Sequence, residues 1–356
     1  MITVLWRVFS NLSLIKKHKL FLNLPSIINL IKFLAIPRSG RVGYKPIQIS
    51  CYITDRCTLN CNFCPHHSIY RNENYPFLHN PLQDMSFEAF RKTIDIFPET
   101  IRITLAGVGE PFLNKNIFKM IDYAICNRKL ITVISNGTLL NDNLDELLNR
   151  KIFSLCISLN VENQMGFYKL TNNKKYDFNS IVSTLQEFTK KNNGKIKFNL
   201  TYVVSKKNIF NIDNILDFVR RELSGVSMVM FHNVIYFGID QRYPLDETLR
   251  DDDMEVVNYL EQLRKQANSY PFQIIFPQLR NTKSGITCDD FFRHLLVDAG
   301  GNVSGCGRSI TPQKEFGNIF KEGQDVWNNA YFQKMRLMSL RKEFNQHPVC
   351  KNCMGS

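Results

Sequence analysis

The sequence predicts an α/β fold, a parallel sheet covered by helices, followed by a small α+β domain. Three observations carry this. From Ile47 onward, apolar and β-branched runs alternate six times with helical periodicity. The alternation stops near position 240, and beyond Cys288 a hairpin pattern and a cysteine-rich tail replace it. The chain has 356 residues, enough for one large domain and a small one.

Strands are predicted at 47–53, 101–105, 130–134, 153–159, 195–204 and 226–231, with helices at 86–97, 115–127, 141–149, 177–191 and 208–223. Ser86 with Ala89 one turn on, and Asn208 before an apolar-periodic stretch, mark helix starts. Such alternation implies parallel pairing through right-handed crossovers, as a doubly wound sheet or a full or partial TIM-like barrel. In either case chemistry sits at the carboxyl ends of the strands. A connecting region, 240–287, carries a helix at 252–268 and a strand near 272–275. Residues 294–297 and 302–304, joined by Asp298-Ala299-Gly300-Gly301, read as a hairpin, and 325–340 as one helix. The expected domains are therefore a leader (1–45), a barrel (46–239), the connection (240–287) and a small domain (288–356). The last is too small to hold firmly without a metal staple or docking.

The leader is basic. Arg7, Lys16, Lys17, Lys19, Lys32, Arg38, Arg41 and Lys45 precede the first acidic residue, Asp55, and the whole chain carries a formal charge of +13. Such a segment attracts an anionic membrane surface, a phosphorylated substrate or nucleic acid; the plainer reading is a solvated basic face. Residues 21–36 are apolar but broken by Pro25 and ended by Pro37. They fall short of the ~20 apolar residues of a spanning helix, and a helix capping the bottom of the barrel is expected ahead of an interfacial one. No secretory signal opens the chain, so its ten cysteines point to metal-bound thiolates in a reducing, cytoplasmic compartment, with peripheral membrane contact through the leader as the variant of that expectation.

Directly after the first strand stand Cys57, Cys61 and Cys64, with three- and two-residue gaps. Three thiolates on so short a loop suit an iron–sulfur cube and leave one iron open, whereas structural zinc wants four ligands. Cys51, inside the strand, is the local fourth candidate. This segment resembles the C-x3-C-x2-C signature of the radical S-adenosylmethionine (SAM) superfamily, with Phe63 as the aromatic before the last cysteine. The resemblance spans residues 47–235 and implies a partial (β/α)6 barrel, a [4Fe–4S] cluster, SAM as cofactor and an electron donor such as flavodoxin or ferredoxin. Gly107-Val108-Gly109-Glu110-Pro111 looks like the family's GGEP motif, with Val108 in place of a glycine. Asn136, in Ser135-Asn136-Gly137, matches the third-strand motif. Ser158 and Asn160 resemble the Ser-Leu-Asp segment that reaches the cofactor's ribose and carboxylate. Phe63, Gly109, Glu110, Asn136, Ser158 and Asn160 are thus the expected cofactor-binding residues.

Cys288, Cys306, Cys350 and Cys353 form a second set of four, and their spacing suits a zinc ribbon and an iron–sulfur cube equally. With Phe316-Gly317-Asn318-Ile319 and the helix around Val326-Trp327, this segment resembles a SPASM domain, in the shortened twitch form with one auxiliary [4Fe–4S] cluster. Such a cluster, fully ligated, is expected to accept or relay electrons rather than bind substrate.

Cys126 and Cys156 read as small buried hydrophobes, although Cys156 shares a strand face with Ser158 and is a candidate hydrogen-atom donor. His66 and His67 follow the cluster loop. His232, ending the sixth strand, is a candidate base or rim residue. The expected activity is oxidation or epimerisation of a polar small molecule, a sugar, cyclitol or nucleotide-sugar. Peptide maturation is the alternative, although the leader is short for a peptide-binding domain. A zinc or iron–sulfur module on nucleic acid is the non-enzymatic reading, and no stripe of interleaved basic and aromatic residues supports it.

Overall fold

A computed structural model describes residues 23–68, 81–234, 247–280, 288–306, 316–347 and 350–353. Arg7, Lys16, Lys17 and Lys19 lie outside the described residues. Six parallel strands appear in sequence order: β1 (Gln48–Tyr52), β2 (Arg102–Ala106), β3 (Leu130–Ser135), β4 (Ser154–Ser158), β5 (Lys197–Val204) and β6 (Val226–Asn233). Between them run α2 (Phe87–Ile96), α3 (Ile117–Cys126), α4 (Leu140–Leu148), α5 (Gln164–Thr171), α6 (Phe178–Asn192) and α7 (Ile212–Glu222), after an N-terminal α1 (Leu24–Ala35). A monotonic strand order with right-handed crossovers keeps all the helices on one face, which is the arrangement of an opened TIM-like barrel.

Side-chain alternation separates the two faces. Ile49, Cys51, Ile103, Leu105, Ile131, Val133, Leu155, Ile157, Leu200 and Val229 are fully buried against the helices. The opposite, inward face carries Gln48, Ser50, Thr104, Ser154, Cys156, Ser158, Asn199 and Thr201, with Ile134, Met228 and Met230 in register beside them. Hydrogen bonds cross it from strand to strand: Gln48 Nε2 to Thr104 Oγ1 (3.2 Å), Asn199 Nδ2 to Ser154 Oγ (2.9 Å), and His294 Nε2 with Ser50 Oγ (2.8 Å).

The sheet runs beyond six strands. α8 (Met254–Gln266) leads to β7 (Gln273–Ile275), which pairs parallel with β6. On the other edge β8 (His294–Val297) pairs parallel with β1, and β9 (Val303–Ser304) antiparallel with β8. The connecting region and the hairpin therefore extend one nine-stranded sheet. Asp298 Oδ1 accepts from the Gly300 and Asn302 amides to close the hairpin turn. Gly301 has φ +82° there, and a Cβ on it would lie 2.2 Å from the Phe320 ring.

Two sequence expectations change. The single helix expected over 325–340 is a 3₁₀ turn (Gly323–Asn328) followed by α9 (Ala330–Arg341). Asn329 separates them because its side chain caps α9, accepting from Phe332 N at 3.0 Å. Asn208, expected to cap a helix, instead ties the β5 loop: its Oδ1 accepts from Ser205 N and its Nδ2 donates to Val203 O.

The C-terminal segment is docked. Arg336, completely buried, donates to the carbonyls of Phe291, Gly40 and Trp327 and to Asn328 Oδ1, with its guanidinium 4.4 Å from the Trp327 ring centroid. Burial lowers its pKa to about 10. Trp327 Nε1 donates to Tyr44 O, and Asn328 exchanges bonds with the Val42 backbone. α1 covers the amino ends of the strands: Ser26 Oγ donates to Thr100 O and Asn29 bonds the Lys45 backbone both ways, just before β2 and β1.

Candidate active site

The chain leaving β1 is strapped before it reaches the cysteines. Thr54 Oγ1 donates to Asp84 Oδ1 at 2.6 Å, Arg56 pairs with Asp84 and donates to Leu113 O, and Asp55 Oδ2 accepts from Gln83 N. Beyond Cys57 the loop rests on the end of α5. Asn173 Nδ2 donates to Thr58 O, and the Asn60 and Asn62 amides donate to Thr171 and Leu170 carbonyls. Cys57, Cys61 and Cys64 thus sit on a loop held at both ends. Burial, with mutual repulsion and the nearby Glu110, pushes the Cys57 thiol up to about 12, and burial with its two neighbours raises Cys61 further. Phe63 lies half-buried in the turn before Cys64.

The Gly107–Pro111 turn packs directly on this strap. Gly109 N donates to Thr54 O and Glu110 N to Arg56 O. A Cβ on Gly109 would lie 1.9 Å from Arg56 O, so this glycine is required by backbone approach. Glu110 is buried, and its carboxylate takes three donors: Ser135 Oγ (2.8 Å), Asn136 N (2.7 Å) and Phe112 N (3.3 Å). Burial nevertheless raises its pKa to about 7. Asn136 reaches back to the cluster loop, donating to Thr58 Oγ1 at 3.0 Å and to Cys57 Sγ at 3.7 Å, while its Oδ1 accepts from Thr138. Glu110 and Asn136 therefore tie the ends of β2 and β3 together and to the cluster loop.

Ser158 ends β4 on the inward face, and its hydroxyl makes no hydrogen bond to a described residue. Asn160, at φ +64°, accepts from Val203 N at its Oδ1 and donates from its Nδ2 to Ser158 O, which fixes the β4–β5 rim.

The second set converges less evenly. Cys288 is clamped by Ser339, whose Oγ accepts from Cys288 N and donates to its carbonyl. Burial, then Cys353 and Cys288, raises the Cys350 thiol. Cys306 follows β9 and lies close enough to Tyr52, the last residue of β1, to raise its pKa after burial does. This places the fourth cysteine on the side facing the barrel mouth. Among the described residues no three His, Cys, Asp or Glu side chains converge on a single ion position. A four-iron cube presents separate corners instead.

The profile of the radical SAM superfamily matches residues 51–219, and that of an iron–sulfur cluster-binding domain, SPASM, matches 288–354. The chain belongs to the radical SAM superfamily. It is similar to GTP 3′,8-cyclase of Synechocystis sp., 29% identical over 199 residues, covering 53% of this chain and 56% of the cyclase. It is also similar to the antilisterial bacteriocin subtilosin biosynthesis protein AlbA of Bacillus subtilis, 21% identical over 314 residues, 86% of this chain and 65% of AlbA. The chain thus spans between half and two-thirds of these relatives. The crystal structure of Streptococcus suis SuiB bound to precursor peptide SuiA superposes with a TM-score of 0.62 at 15% identity, over 92% of this chain and 71% of that one.

As a radical SAM enzyme, this chain carries a [4Fe–4S] cluster with SAM and an auxiliary iron–sulfur site in the SPASM domain. The residues fit both groups: burial favours the protonated thiol at Cys57, Cys61 and Cys350, and a bound metal would take the place of that proton. Cys51, which faces the helices and whose thiol burial pushes up to about 12, belongs to the core. Cys156 faces inward, 4% exposed; Cys126 is exposed at the end of α3. His66 is buried behind the loop, His67 donates its backbone N–H to Cys64 Sγ, and His232 stands exposed at the end of β6. Sequence reasoning missed Asp84, Thr58 and Asn173, which act through contacts 28 to 115 residues away. It also missed Asn199. The inward position of Asn199 follows from strand parity, which could have identified it.

Proposed function

We propose that this radical SAM enzyme oxidises or epimerises a polar small molecule of the sugar, cyclitol or nucleotide-sugar class. The observation carrying this reading is the set of hydroxyl and amide side chains on the inward face of β1, β2, β4 and β5, from Gln48, Ser50 and Thr104 to Ser154, Ser158, Asn199 and Thr201. Asn199 Oδ1 on that face is buried and has no hydrogen-bond partner among the described residues. It is an acceptor for a substrate hydroxyl, since an unpaired buried carbonyl costs about 1–3 kcal/mol. When bound, the barrel cluster and SAM supply a 5′-deoxyadenosyl radical, and the auxiliary cluster supplies an electron acceptor.

The chain's own residues set the geometry. The Gly107–Gly109 turn after β2, the Ser158 hydroxyl at the end of β4 and Phe63 are assigned to SAM. Glu110, Asn136 and Asn160 hold that backbone in place. Cys57, Cys61 and Cys64 are assigned to the barrel cluster, and Cys288, Cys306, Cys350 and Cys353 to the auxiliary one. Cys306, next to Tyr52, gives the auxiliary site its contact with the barrel mouth, where an electron would leave the substrate. An external donor such as flavodoxin or ferredoxin would recharge the barrel cluster.

Peptide maturation is the second reading, favoured by the likeness to AlbA over 86% of this chain and to SuiB, crystallised with its precursor peptide. Anaerobic turnover with reductant separates the two. Carbon-deuterated sugars and cyclitols are expected to stimulate SAM cleavage and to pass deuterium to 5′-deoxyadenosine. Stimulation and deuterium transfer by peptides alone would replace the first reading with the second.

A further inference from the structure

We propose that α1 and the chain following it form a membrane-docking face whose occupant is an anionic lipid bilayer. α1 docks on the barrel through its polar side. Ser26 and Asn29 are 0% and 2% exposed, bonded to the Thr100 and Lys45 backbones. Its apolar side faces out: Leu24, Ile28 and Ile31 are 68%, 44% and 50% exposed. The spacing i, i+4, i+7 aligns them in one stripe, the stripe that a surface helix ordinarily buries. Ala35 continues it one turn later, exposed as well.

Charge selects the occupant. Lys32 lies on α1 beside the stripe and Arg41 six residues past its end, both exposed and without an acidic partner among the described residues. Arg38 is paired with Asp289 and is not counted. The first 54 positions hold no Asp or Glu, and eight Lys and Arg fall within the first 45. A second copy docking face to face would set these basic groups against themselves. Anionic headgroups complement them, at about 1 kcal/mol per basic side chain. At 12 residues α1 is ~18 Å long, too short to cross a ~30 Å core but suited to lie in the interface. Among the described residues no helix is long and apolar enough to cross a membrane. Because α1 sits at the amino ends of β1 and β2, the barrel mouth with Cys57, Cys61 and Cys64 opens away from the bilayer.

Flotation of the full, cluster-loaded chain with vesicles tests this. Vesicles of phosphatidylcholine with about a third phosphatidylglycerol are expected to carry the protein. Pure phosphatidylcholine, or 0.5 M salt, is expected to reduce binding at least tenfold. Ile28→Glu with Ile31→Glu should abolish flotation while iron content and SAM cleavage stay at wild-type levels. Lys32→Glu with Arg41→Glu, both exposed, should weaken it at least tenfold, and circular dichroism on both variants verifies folding. The proposal is overturned by absence of flotation on anionic vesicles, or by undiminished flotation of the folded isoleucine variant. It is overturned equally if light scattering shows a wild-type dimer that this variant converts to monomer, because a second copy is then the occupant.

Discussion

Glu110 shows two opposed forces on one carboxyl group: three donors favour its charge, while complete burial disfavours it and wins. Its folded pKa, raised to about 7, makes the protonated form the stabilising one. That contribution is whole below the ordinary carboxylate range and is lost as pH rises through 7. Between pH 6 and pH 8.5 the loss is about 1 kcal/mol, from 1.36 kcal/mol per unit and the fraction titrated. Thermal unfolding under argon at both values should show wild type losing stability with pH, and Glu110→Gln, permanently neutral, lacking that decrement. An equal slope in both would remove Glu110 from the account. At this scale the sequence was legible where a side chain acts locally: Ser86 caps its helix through Ala89 N as its position suggested. The side-chain partners of Glu110 and Asn136 were not legible, because they lie on other elements that no local motif names.

At the scale of elements, the cluster loop and the Gly107–Pro111 turn behave as one structural unit. Parallel pairing of β1 with β2 brings the two strand ends together, and glycine lets the backbones touch. Gly109→Ala would drive a methyl into the Arg56 carbonyl and displace the chain at Arg56, immediately before Cys57. The expected outcome is loss of roughly half the iron, that of the barrel site, with the C-terminal site retained, since each cube carries about four irons. Iron analysis and the electron paramagnetic resonance of the reduced variant read this directly. The strands and helices themselves were readable from periodicity, including the short hairpin with its Asp-Ala-Gly-Gly turn. The break at Asn329 was not, because a capping Asn inside an apolar-periodic run looks like an ordinary helix residue until its side chain is seen turned onto Phe332 N.

At the scale of the molecule, the C-terminal segment is held by more than its cysteines. β8 extends the barrel sheet beside β1, and Arg336 joins Gly40, Phe291 and Trp327 in one buried knot. Among the described residues no carboxylate pairs with Arg336; carbonyl dipoles and the Trp327 face balance its charge. Arg336→Met should therefore unpair several buried carbonyls and cost about 3–5 kcal/mol, as breaking buried charge networks does. Limited proteolysis should then cut within the C-terminal segment before the barrel. These contacts cross nearly 300 positions of sequence, which is why spacing alone suggested a more separate unit. The knot also bears on the redox argument, since removing the C-terminal cysteines leaves this docking in place.

The account rests on two cysteine sets holding two separate cubes, one open to SAM and one closed. Iron and acid-labile sulfide, measured on the anaerobically reconstituted chain, test that most directly. Wild type is expected to hold about eight of each, at about four per cube, and Cys57→Ala with Cys61→Ala and Cys64→Ala about half. Zinc at the C-terminal set, or about four irons in the wild type, would contradict it.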